Sequence, residues 1–142
     1  MAGSICSIRL KAACSGGVRI GFDWSLYLKL AKDLAFANET DDEARLRSSI
    51  SRAYYAAFCI ARNHLRDVER KEISGENVHG YVIAQFSAKG RIGNEKKLAM
   101  ELRRLRNQRN RADYDDAVGG LSSMSKDALI RAERVISYLK RS

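Results

Sequence analysis

The sequence predicts an all-α fold, an up-and-down antiparallel bundle of four to five helices, on three observations. Apolar residues recur three and four positions apart through successive segments. The 142 residues include no proline, which a fold rich in strands and turns would use. The links between the periodic segments are short, so neighbouring helices must run antiparallel. A hydrophobic content of 45% and a charged content of 30% allow one packed domain of ordinary globular character.

Residues 1–21 stand apart from this pattern. Arg9, Lys11 and Arg19 are scattered among Ser and Gly with no acid. This composition predicts a disordered N-terminal extension, or one that is not native to the chain. Arg9 and Lys11 interrupt the apolar stretch a signal peptide needs, while a transit peptide fits the composition. The bundle domain is expected over residues 22–142.

Its first helix begins in "GFDWSLYLKLAKDLAFAN", where Asp23 can cap and Trp24, Tyr27, Leu28, Ala31 and Leu34 share a face. The second is the longest. "TDDE" reads as a capping box with Thr40 at the cap and Glu43 three positions on. Its stripe runs through Leu46, Ile50, Ala53, Tyr54, Ala57, Phe58, Ala61 and Leu65, and its alanines allow close helix approach. "ISGEN" is a loop broken at Gly75, followed by a helix from about Asn77 to Lys89. "KGRIG" closes that helix, and a fourth runs from about Asn94 to Asp115. "VGGLSSMS" reads as a loop, with Ser125 capping a last helix that carries Leu129, Ala132, Val135, Ile136 and Leu139.

The net charge of +9 favours an anionic partner and is concentrated in one place. Eight Lys or Arg against two Glu lie between Arg91 and Arg111. Cys6, Cys14 and Cys59 match no zinc or redox spacing, so a reduced, cytoplasmic setting is expected, with no metal or cofactor. No apolar run approaches the roughly 18 residues of a membrane span.

The segment "LRRLRNQRNRADYDD" carries most of the functional signal. At about 100° per residue, Leu98, Leu102, Leu105, Arg109, Ala112 and Asp116 share one face. Arg103, Arg104, Asn107, Asn110 and Arg111 point elsewhere. The segment's four other arginines, Arg106 included, are therefore free to meet water or phosphate, whereas Arg109 faces the core or an interface. A guanidinium there needs a partner. That partner is either an acid in a buried ion pair or a phosphate gripped at a groove floor. Asp113, Asp115 and Asp116 crowd a helix C-terminus, where negative charge is disfavoured unless Arg109 and Arg111 one turn back offset it.

"RNRADYDD", with "SISRAYYAAFCIARNHL" and "NVHGYV" upstream, resembles the HEPN (higher eukaryote and prokaryote nucleotide-binding) domain family, in particular its small bacterial and archaeal members. The matching residues are Ser51, Arg52, Ala53, Tyr54, Tyr55, Ala56 and Phe58, then His79 and Gly80, then Arg109, Ala112, Asp113, Tyr114 and Asp115. The resemblance spans about residues 22–140. It implies a helical bundle that dimerises and has a link to RNA. Many such proteins are metal-independent ribonucleases with an arginine, a polar residue and then a histidine, often followed by a tyrosine. Many are toxins beside a minimal nucleotidyltransferase antitoxin. Here Arg106-Asn107 or Arg109-Asn110 can supply the first two groups and Tyr114 the last. Ala112 or Asp113 stands where the histidine would fall.

The chain's two histidines are therefore of interest. His64 ends the second helix, where a dipole partner is the ordinary role. His79 is in the first turn of the third, where it is either structural or able to reach a groove. Tyr54 lies on the core stripe, and Tyr55, about 100° away, is expected to face a partner helix.

Three functions follow. One is a dimeric module that binds RNA or nucleotide through Arg103, Arg104, Arg106, Asn110 and Arg111, with a nucleotidyltransferase-type partner. Another is a ribonuclease with an altered site, using Arg109, Asp113 and Tyr114, with Arg52, Tyr55 and His79 as further candidates. The last is a structural bundle whose basic face confers solubility.

Overall fold

A computed structural model of the chain describes residues 21–36, 42–89 and 93–141. Of the expected extension over residues 1–21 only Gly21 is among them, and Thr40 also lies outside. The described residues form five helices: α1 (Ser25–Phe36), α2 (Glu43–Asp67), α3 (Val78–Lys89), α4 (Asn94–Tyr114) and α5 (Leu121–Arg141). No strand occurs among the described residues, and the architecture is an all-α helical bundle. None of these helices is long and apolar enough to cross a membrane.

The ends follow from local chemistry. Asp23 Oδ1 accepts from the Ser25 backbone N–H at 3.0 Å and starts α1. The cap of α2 is Asp42, whose carboxylate accepts from Arg45 N–H at 3.3 Å. Glu43 instead binds Arg47 one turn on. Asn77 caps α3, accepting from the Gly80 N–H at 3.0 Å. A Cβ on Gly80 would stand 2.4 Å from the Asn77 amide, so glycine keeps this cap closed. Gly75 and Gly120 take positive φ in the turns before α3 and α5.

α2 is the central helix and packs against all four others. Ala53, Ala56, Ala57 and Ala61 are fully buried and let its neighbours approach. Cys59 sits among them as a free thiol.

Ser125 is not a cap. α5 starts at Leu121, and Ser125 lies inside it, 1% exposed. Its hydroxyl donates to Ser49 Oγ at 3.1 Å, and Ser49 donates to the Ala31 carbonyl at 2.7 Å. This buried relay ties α5 to α2 and α1. Asp116 is also misplaced on the α4 stripe, because α4 ends at Tyr114 and Asp116 is exposed beyond it.

The relay predicts an order of stabilities. Ser49→Ala strands the Ser125 hydroxyl in the core, and a loss of about 1–2 kcal/mol is expected. Ser125→Ala leaves the Ser49–Ala31 bond intact and should cost less. Urea midpoints of the two variants check this order.

Candidate functional site around Arg109

Arg109 is 7% exposed. Its guanidinium lies 5.2 Å from the Tyr54 ring centroid and 5.3 Å from that of Tyr55. Its nearest ion-pair partner, Asp113, is 3.9 Å away, beyond hydrogen-bond length. The Arg109 Nε is buried with no hydrogen-bond partner. Two aromatic faces and one distant carboxylate thus hold a buried cation without satisfying its Nε–H.

α2 supplies both rings. Tyr54 is fully buried and stacks on Phe58 at 5.7 Å. Its hydroxyl meets His79 Nδ1 at 2.6 Å. Burial pushes the phenol well above its ordinary range, against the pull of Arg106 and Arg109, so Tyr54 stays protonated. Tyr55 is half-buried, with Arg109 of α4 and Arg52 over its ring.

α3 supplies His79 from its first turn, held by the Asn77 cap. The imidazole stacks on Phe58 at 4.2 Å. Burial lowers its pKa, and the positive charges of Arg109, Arg106 and Arg62 lower it further. The ring is therefore neutral near pH 7. Either tautomer fits a neutral phenol. A donating Tyr54 hydroxyl leaves the ring proton on Nε2, and an accepting one frees the Nε2 lone pair.

Asp113 accepts from Ser51 Oγ at 3.3 Å and sits at the rim. Tyr114 is 74% exposed and makes no ring contact among the described residues. The remaining arginines separate by direction. Arg103 and Arg106, with Asn107 and Asn110, line a cleft of about 410 Å³ against α3. Arg106 Nε is also buried without a partner. Arg104 faces a cleft of about 490 Å³ between α4 and α5. That cleft is larger, but its Glu101 is already bound by Arg131 and Arg134. Arg111 pairs with Asp115 at 4.0 Å on the outside.

The acidic end of α4 has a partner the sequence reading did not find. Arg47 of α2 donates to the carbonyls of Ala112 at 2.8 Å, Asp115 at 2.7 Å and Asp116 at 3.2 Å. A guanidinium on these carbonyls offsets the negative helix end. His64 lies elsewhere, 3.4 Å from Glu69, and burial with nearby Lys89 lowers its pKa, so it is a poor cationic dipole partner.

Both histidines resist protonation in the fold. The unfolded chain takes up protons as pH drops through the ordinary value of 6.5, and the folded chain takes them up only lower. Stability is thus full above that value and falls as pH decreases through it toward the folded values. Melting temperature should drop between about pH 7.5 and pH 5.5. His79→Gln should shrink the drop and leave the His64 share.

Comparison with known families gives one result. The HEPN domain family model matches residues 26–142. No curated protein and no solved structure matches the chain.

Proposed function

The chain belongs to the HEPN domain family, and on that premise we propose that it is a dimeric RNA-binding module. In this reading it acts in the cytoplasm as part of a toxin–antitoxin pair with a minimal nucleotidyltransferase-type partner. The observation that carries the RNA half is the buried Arg109 Nε without a hydrogen-bond partner. A phosphodiester oxygen is the acceptor that a planar, permanently charged guanidinium suits best. The α3–α4 cleft beside it carries Arg103, Arg106 and Asn110, which would hold the flanking backbone. Arg104 and Arg111 face other directions and would add field rather than contact. The dimer and the partner rest on the family relation. Co-purification with the product of a neighbouring nucleotidyltransferase reading frame tests the partner.

A second reading, metal-independent RNA cleavage, is favoured by His79. His79 of α3 is bonded to the tyrosine on which Arg109 rests, and in this reading it takes the place of the histidine absent from the α4 motif. In this reading the ribose 2′-oxygen attacks phosphorus and its proton passes to His79 Nε2. The P–O5′ bond breaks, and the 5′-oxygen leaves with a proton from water. Arg109 stabilises the charge on the phosphorane. Tyr54 sets the tautomer by accepting from Nδ1–H. Asp113 at the rim and Tyr114 in solvent are less well placed for that proton.

Arg109→Ala should weaken binding of unpaired RNA by about ten- to a hundredfold at low salt. It should also reduce the slope of log affinity against log salt by about one. Circular dichroism checks that the variant folds. Unchanged affinity and slope in a folded variant refute the phosphate role. Incubating mixed cellular RNA with the protein in excess chelator decides between the readings. Cleavage by wild type but not by Arg109→Ala or His79→Gln supports the ribonuclease; intact RNA throughout leaves the binding module.

A further inference from the structure

Arg109 is one end of a longer alternation of flat rings and guanidinium groups. Beyond Tyr55 comes Arg52 of α2, 5.2 Å from the Tyr55 ring and 4.8 Å from the Tyr27 ring of α1. Tyr27 meets Trp24 at 5.3 Å, and Phe22 meets Trp24 at 4.9 Å, all edge to face. Arg62 lies 5.5 Å over the Trp24 ring. The groups follow one another from Arg109 on α4, across α2, to the start of α1.

Trp24 leans on the core, but the core does not cover the far end of this line. Phe22 precedes α1 and is 51% exposed. Trp24, Tyr27, Arg52 and Tyr55 are only half-buried. Arg52 donates to a neutral hydroxyl, Ser51 Oγ, at 3.3 Å, and Arg62 to the Asn63 side-chain oxygen at 3.1 Å. Among the described residues neither pairs with a carboxylate. Phe22, Trp24 and Arg62 also border a cleft of about 210 Å³. Part-exposed rings beside unneutralised cations match a strand of unpaired nucleotides, which presents base faces and phosphates in turn. A duplex hides its base faces and cannot use the rings.

The geometry points to a base-stacking platform, formed by Phe22, Trp24 and Tyr27 with Arg52 and Arg62, that takes unpaired bases of a single RNA strand whose phosphate lies on Arg109. This rests on the reading of Arg109 as a phosphate site. The platform would extend that site along the strand and select single-stranded over double-stranded RNA.

Trp24 is the only tryptophan of the chain, so it reports on the platform directly. The full chain is titrated with labelled oligouridine of about nine nucleotides, following label anisotropy and tryptophan emission together. An RNA duplex of equal length is titrated alongside. Emission should be quenched with the same midpoint as the anisotropy rise, and the duplex should bind more weakly. Phe22→Ala removes an exposed ring and should weaken single-strand binding about tenfold. If the oligouridine binds and depends on Arg109 while emission is unmoved and Phe22→Ala binds as wild type, the platform is refuted and the Arg109 site stands. If no RNA changes the anisotropy, both are refuted.

Discussion

Burying a guanidinium without a matched carboxylate is the constraint around which this bundle is arranged. Arg109 occupies a core position of α4, between Leu105 and Ala112, and cannot leave it without turning the helix. Its charge is accommodated by the faces of Tyr54 and Tyr55 and by Asp113 at a distance. That arrangement stabilises the cation but leaves its Nε–H unmet. The fold thus holds a rigid positive group in surroundings of low polarity, where an incoming anion competes with little water.

The neighbouring groups make sense from that centre. Tyr54 is kept protonated by burial, and His79 is kept neutral by burial and by three arginines. A hydrogen-bonded pair of neutral groups beside a cation adds no competing negative charge and retains one mobile proton. The Asn77 cap with Gly80 fixes where His79 enters, and Arg47 steadies the end of α4 that carries Asp113. α2 contributes to each of these contacts except the cap, which explains its mixture of alanines, tyrosines and arginines.

Much of this was legible in the residues. Periodicity located the five helices, placed Arg109 and Tyr54 on buried faces and separated Arg103 and Arg104 from them. The missed features are those that join distant parts of the chain. Arg47 looks like one end of an ordinary i,i+4 pair with Glu43, and only the crossing of α2 and α4 brings it to the α4 carbonyls. His79 is a candidate in the sequence, but its bond to Tyr54, on which Arg109 rests, is not legible there, because α3 delivers the imidazole across a gap of thirty positions. Ser125 was read as a cap because serine favours that role. Its use in a buried relay depends on Ser49, 76 positions away. Gly120 gives the turn that allows α5 to begin earlier than the Ser-rich segment implied.

The most direct measurement is of the Arg109 Nε–H itself. Its nuclear magnetic resonance signal, assigned by its loss in Arg109→Lys, is followed while a diribonucleoside monophosphate is added. This resonance should shift on saturation and exchange more slowly with water, as an orphaned donor gains a phosphate acceptor. A resonance that stays in place while those of Arg103 and Arg106 move would contradict the account, and would put the phosphate in the α3–α4 cleft instead.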